Sequence, residues 1–98
     1  MDAQVSAGQS ATLVSVKLVY LARLREALGV AAEDAALPAG TRDVAGVVRW
    51  LSARGGAWAT ELAAGRAFRV AVNQQMATPA TAVRDGDEIA IFPPVTGG

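Results

Sequence analysis

The sequence predicts an α+β fold: a mixed β-sheet packed on one main helix, with a slim tail at the end. Three observations point there. Alternating apolar stretches stand near both ends of the chain, "LVSVKLVY" at residues 13–20 and "EIAIF" at 88–92. Between them, Val44, Val47, Val48 and Leu51 recur at helical spacing. The 98 residues are 52% hydrophobic, which suits one domain with a single modest core.

Each element follows from its pattern. Val14, Val16, Leu18 and Tyr20 share one face and Ser15 and Lys17 the other, so residues 13–20 read as a half-buried strand. In "LARLREALG", Leu21, Leu24 and Leu28 fall at i, i+3 and i+7, and Gly29 stops a helix of about two turns. Residues 30–37, "VAAEDAAL", give a weak signal for a second strand, because alanine and acids disfavour strands. Thr41 reads as the N-cap of the main helix, with Asp43 in its first turn, where a carboxylate suits the helix dipole. Gly46 inside that helix costs roughly 1 kcal/mol against alanine. Gly55-Gly56 read as its end, and "AWATELAAG" as one further short helix closed by Gly65. "AFRVAVN" alternates again, setting Phe68, Val70 and Val72 against Arg69 and Ala71. A minimal strand around Gln75 and Met76 and a turn at "RDGD" lead into the last strand. There Ile89 and Ile91 oppose Glu88, Ala90 and Phe92.

This order fits the β-grasp arrangement. A ferredoxin-like sandwich is the main competitor, but it expects two long helices, and the first helix here is short. The expected organisation is an N-terminal extension at 1–12, a β-grasp domain at 13–92 and an extended tail at 93–98.

Composition excludes several function classes. Nine basic and nine acidic residues cancel, which removes the electrostatic case for a nucleic-acid or anionic-membrane partner. There is no cysteine and no histidine, so disulfides, thiol nucleophiles, Cys/His zinc sites and the commonest general base are absent. Asp85, Asp87 and Glu88 are the one close group of acids and read first as a turn, so no metal site is expected. No segment reaches the roughly 18–20 apolar residues that cross a bilayer. "MDAQVSAGQSAT" lacks the basic start and apolar stretch of a signal peptide, and it has no arginine for a transit peptide. The expected location is the cytoplasm.

The chemistry points to the tail, "FPPVTGG". Pro93 and Pro94 cannot donate to a sheet ladder, so the strand stops before them, and paired prolines hold the chain extended. Residues 93–98 reach on the order of 20 Å. Gly97 and Gly98 carry no side chain and pass through a slot too narrow for a Cβ. The terminal carboxylate is then the reactive handle. A carboxylate must be activated before it reacts, typically as an acyl-adenylate made with ATP. No G-x-x-x-x-G-K-[ST] motif is present, so activation would come from another protein. With no cysteine to store it, carried sulfur would sit on the C-terminus as a thiocarboxylate.

At these residues the sequence resembles a known family. "DGDEIAIFPPVTGG" at 85–98 is similar to the end of the small subunits of molybdopterin synthase, "LARLREALG" to their first helix and "VAVNQQMA" at 70–77 to their central strand and following loop. The likeness covers about residues 13–98. It implies a ubiquitin-like β-grasp fold and a sulfur carrier of molybdenum-cofactor biosynthesis. A ubiquitin-activating-type enzyme would consume ATP to adenylate Gly98, and a sulfur donor system would convert it to a thiocarboxylate. The tail would then enter the large synthase subunit, where sulfur passes to cyclic pyranopterin monophosphate to form molybdopterin. The resemblance implies a heterotetramer whose large subunits supply the catalytic side chains. The small subunit then donates sulfur to a transferase complex, binds no cofactor and has no self-contained active site. Residue by residue, Gly98 carries the sulfur, Gly97 permits entry, and Val95 and Thr96 line the tail's passage. Phe92, Pro93 and Pro94 sit where the tail leaves and form part of the partner surface. The N-terminal extension falls outside the resemblance.

Other readings stand beside this one. A thiamine-pathway sulfur carrier also ends in two glycines, although the "FPPVTGG" run argues against it. A ubiquitin-like modifier would join lysines through Gly98, and a plain interaction domain would leave the tail inert. Phe92 reads equally as core packing or as a partner contact. Arg23, Arg25 and Glu26 read as solvated helix residues, Trp50 and Trp58 as core or shielding residues, Asn73 as a turn residue and Arg84 as surface.

Overall fold

Strands β1 (Val14–Tyr20) and β5 (Glu88–Phe92) come from opposite ends of the chain and pair in parallel. The computed structural model describes residues 14–94. Strand β2 (Ala32–Leu37) lies antiparallel to β1, while β3 (Arg69–Val72) lies antiparallel to both β5 and β4 (Gln75–Met76). The sheet order is therefore β2-β1-β5-β3-β4. Helices α1 (Ala22–Leu28), α2 (Val44–Ser52) and α3 (Gly56–Glu61) complete a mixed-sheet, ubiquitin-like β-grasp fold.

Period-two patterning explains the core. Val16, Leu18 and Tyr20 of β1, Ile89 and Ile91 of β5, and Val70 and Val72 of β3 are buried on one sheet face. Val44, Val47 and Leu51 of α2 and Leu24 of α1 join them in a single apolar cluster. Each fully buried Leu or Ile contributes roughly 1.5–3 kcal/mol. The weak signal at 30–37 does form a strand. Its partner supplies what its own residues lack, since β2 pairs with β1 from Val14↔Leu37 to Val19↔Ala32.

Four local expectations change. Asp43, not Thr41, caps α2, and its carboxylate accepts the Gly46 N–H at 2.9 Å. This capping brings Asp43 close to Gly46: a Cβ there would lie 3.3 Å from the Thr41 methyl and 3.4 Å from Asp43 Oδ1. The glycine in α2 therefore reflects close packing. Helix α2 ends at Ser52, and Gly55-Gly56 start α3 instead, with φ of +81° and +54° that favour glycine. Leu21 does not join the buried face of α1; it is the N-cap residue and is 42% exposed. In β3, Ala71 is buried as well as Val70 and Val72, because its small side chain stands between Ala90 and Met76 of the neighbouring strands.

Side-chain networks fix the two ends of β5 and β1. Asn73 and Gln74 form a two-residue hairpin turn with φ of +51° and +70°, a conformation in which asparagine is tolerated. Asn73 Nδ2 donates to Asp87 at 2.9 Å, and its Oδ1 accepts the Glu88 N–H at 3.0 Å. Asp85 accepts the Ser15 N–H at 2.7 Å and Asp87 the Arg84 N–H at 2.8 Å. These acids therefore build the turn before β5, and no group of three or more potential metal ligands occurs among the described residues. At the other end of β1, the Tyr20 hydroxyl donates to Glu33 at 2.7 Å. Arg54 reaches both Glu33 oxygens, at 2.8 and 3.1 Å, and its guanidinium lies 4.9 Å from the Trp50 ring centroid and 4.4 Å from that of Trp58. The two indoles are half-buried shields over the core. Arg54 holds the Glu33 carboxyl below the usual carboxylate range, while burial, reinforced by Glu33, pushes the Tyr20 phenol up.

Candidate functional site: the tail exit

Strand β5 is central, so its end is held from both sides. Ile91 pairs with Tyr20 and Val70, and Phe92 with Arg69. The Leu21 N–H donates to the Ile91 carbonyl at 3.1 Å, carrying the β1–β5 ladder one step past β1. Beyond Phe92 the ladder stops, because Pro93 and Pro94 have no N–H to give. Both prolines and Phe92 are half-buried. Phe92 lies on the face opposite Ile89 and Ile91 and outside the core cluster. Phe92 is therefore not a core residue.

Next to the exit, that outer face carries an apolar patch. Reading across the pairing, Met76, Ala71, Ala90 and Val19 form one row. Phe92 and Leu21 form the next, beside Arg69. Met76 is 61% exposed and Leu21 42%, and they are the exposed large hydrophobic residues among those described. The helices among the described residues bury their apolar side chains against the opposite face of the sheet, which leaves this apolar patch exposed. Sequence reasoning missed Leu21 and Met76. The signal for Leu21 was the parity of β1, which places Lys17, Val19 and then Leu21 outward. The signal for Met76 was its register opposite Ala71, which requires the hairpin to be known.

Of the predicted site residues, Phe92, Pro93 and Pro94 are brought together at this exit. Val95, Thr96, Gly97 and Gly98 lie outside the described residues. So does the N-terminal extension. Among the described residues the one fully buried side chain with a polar group is Tyr20, whose hydroxyl bonds Glu33. No helix there is long and apolar enough to cross a membrane.

Fold and exit together define a small ubiquitin-like domain whose central strand runs into a double proline. The chain belongs to the ThiS family, whose model matches residues 18–98. It is 38% identical over 87 residues to the molybdopterin synthase sulfur carrier subunit of Haemophilus influenzae, covering 85% of this chain and 99% of that protein. It is 36% identical over 83 residues to the subunit of the same name from Escherichia coli, with the same coverage of 85% and 99%. Among solved structures, SAMP1 from Haloferax volcanii, a small archaeal modifier protein, superposes with a TM-score of 0.71 at 26% identity, over 86% of this chain and 99% of that one. A chain in the complex of subunits 1 and 2 of molybdopterin-converting factor from Helicobacter pylori shares the fold, with a TM-score of 0.56 at 22% identity over 87% and 100%.

Proposed function

We propose that this chain is the sulfur-carrier subunit of a molybdopterin synthase. The observation that carries the reading is the near full-length match to two proteins of that name, in a chain whose family likeness runs to Gly98. On this reading a separate adenylating enzyme joins the Gly98 carboxylate to the AMP part of ATP and releases pyrophosphate. Sulfide released by a sulfur donor then attacks the acyl carbonyl, the bond to AMP breaks and AMP leaves, and with loss of a proton a thiocarboxylate remains. The large synthase subunit seats on the outer face at Met76, Phe92 and Leu21 and takes the tail along Val95 and Thr96, and there the sulfur passes to cyclic pyranopterin monophosphate to form molybdopterin. Gly97 and Gly98 keep the tip thin enough to reach its active site. The domain acts in the cytoplasm, binds no cofactor and leaves catalysis to its partners.

The test is an intact-mass measurement after incubation with the adenylating enzyme, ATP and a sulfur source. The expected product gains the mass difference between one sulfur and one oxygen. Removal of Gly98 abolishes this gain and leaves the thermal melt unchanged. An unmodified wild-type chain in the presence of a competent enzyme would refute the reading. The likeness to SAMP1 favours a second reading, a protein modifier joined to lysines through Gly98. Gly-Gly remnants on cellular lysines, lost when Gly98 is removed, would support it. The two synthase relatives favour the molybdenum pathway over the thiamine pathway.

A further inference from the structure

Pro94 belongs to the tail exit, and it also forms part of the wall of an open groove of about 920 Å³ between α2 and residues 62–70. Val48, Leu62, Phe68 and Val70 give the groove an apolar lining. Three arginines, Arg49, Arg66 and Arg69, also line it, and among the described residues no aspartate or glutamate does. In a chain with nine bases and nine acids, that one-sidedness is local rather than compositional. Arg66 shares Glu61 with Arg23, at 3.3 and 2.6 Å. Arg49 and Arg69 make no salt bridge among the described residues. An apolar trough lined by cations complements a segment that is acidic and carries an apolar side chain. Arginine suits this pairing because its planar fork takes a carboxylate through two hydrogen bonds.

We propose that this groove docks an acidic, apolar-anchored segment of the protein that takes up the tail. Continuity supports the assignment: any protein that receives residues 95–98 passes Pro94, and so reaches the mouth of the groove. A contact made there is intramolecular once the tail is engaged, which raises residence time without a new encounter. The proposal rests on the carrier reading, which names the tail-receiving protein as the large synthase subunit.

The experiment titrates that large subunit into the full-length chain and into Arg49→Glu and Arg69→Glu variants by calorimetry. Thiocarboxylation of Gly98 by the adenylating enzyme is followed in parallel by intact mass. Both arginines are exposed, so the variants are expected to fold, and circular dichroism checks this. Each charge reversal should weaken binding on the order of tenfold, with a flatter salt dependence, while thiocarboxylation proceeds as in the wild type. Wild-type binding with both variants unchanged overturns the groove alone. Absence of wild-type binding overturns the carrier reading and the groove with it. Two other occupants would also overturn the proposal. One is the chain's own tail, revealed if deleting 95–98 shifts the amide signals of α2 with no partner present. The other is a second copy, revealed by wild-type self-association that Arg49→Glu abolishes.

Discussion

Replacing Arg54 by alanine tests whether the aromatic and ionic cover over β1 holds the handle together independently of the tail. The guanidinium bonds both oxygens of Glu33, at 2.8 and 3.1 Å, and lies against two indoles. The Arg54 and Glu33 side chains are 29% and 24% exposed, so water still reaches the pair. Its worth is about 0.5–1 kcal/mol, nearer a surface pair than a dry one. Each cation–π contact adds about 0.5–1 kcal/mol. The loss therefore comes to about 1.5–3 kcal/mol, or roughly 6–24 °C in Tm for a domain of this size. Thermal melts and urea titrations at constant m-value read it directly. The pH dependence supplies a second check. Arg54 depresses the Glu33 carboxyl in the folded state, so the stabilisation is fully present above the ordinary carboxylate value of about 4.3 and is lost as pH falls through the lower folded value. The gap between wild type and Arg54→Ala should be widest near neutral pH and shrink in acid. Arg54→Lys should recover only part of it, because an ammonium cannot bond both oxygens and stack at once. A variant within about 0.5 kcal/mol of wild type at pH 7, or a gap that does not change with acid, would show that the network is ornamental.

Other expectations follow from the same geometry. Asp43→Ala removes the cap of α2 and should cost about 1 kcal/mol in a urea titration. Leu18→Ala, at a fully buried position facing α2, should cost about 2–5 kcal/mol by the same measurement. Met76→Glu, at a residue 61% exposed, should leave the melt within about 0.5 kcal/mol of wild type yet weaken binding of the large synthase subunit in calorimetry.

Much of this was legible in the residues, and the failures have physical causes. Strands β1 and β5 could be read because one face of each is buried and the other is not, which gives clean alternation. Strand β3 is blurred because Ala71 is covered by its cross-strand neighbours, a fact of register rather than of local sequence. Strand β2 carries little strand propensity of its own and exists because β1 offers a free edge. Leu21 fits two patterns, the helical spacing with Leu24 and Leu28 and the outward parity of β1. The strand won, because the Leu21 N–H completes the ladder to Ile91 before the helix begins. Asp43 displaced Thr41 as the cap for a similar reason: both are good capping residues, and only the observed start of α2 at Val44 selects between them. The end of β5 at Phe92 was readable from the two prolines that follow it. The groove was not readable, because Arg49, Phe68 and Pro94 meet only after folding.

The position of β5 in the sheet bears on how the chain leaves the domain after Phe92. A tail leaving an edge strand could peel back along it, since only one ladder would have to open. Here β5 is bonded to β1 as far as Ile91 on one side and to β3 as far as Phe92 on the other. Moving the exit point would break both ladders and unseat Ile89 and Ile91, which are fully buried. The exit is therefore fixed relative to Met76, Phe92 and Leu21 on one side and Arg49 on the other. A partner that recognises those surfaces meets the start of the tail at a known place. On the carrier reading, loosening the β5 anchor should slow sulfur transfer, while substitutions elsewhere in the core should act only through stability.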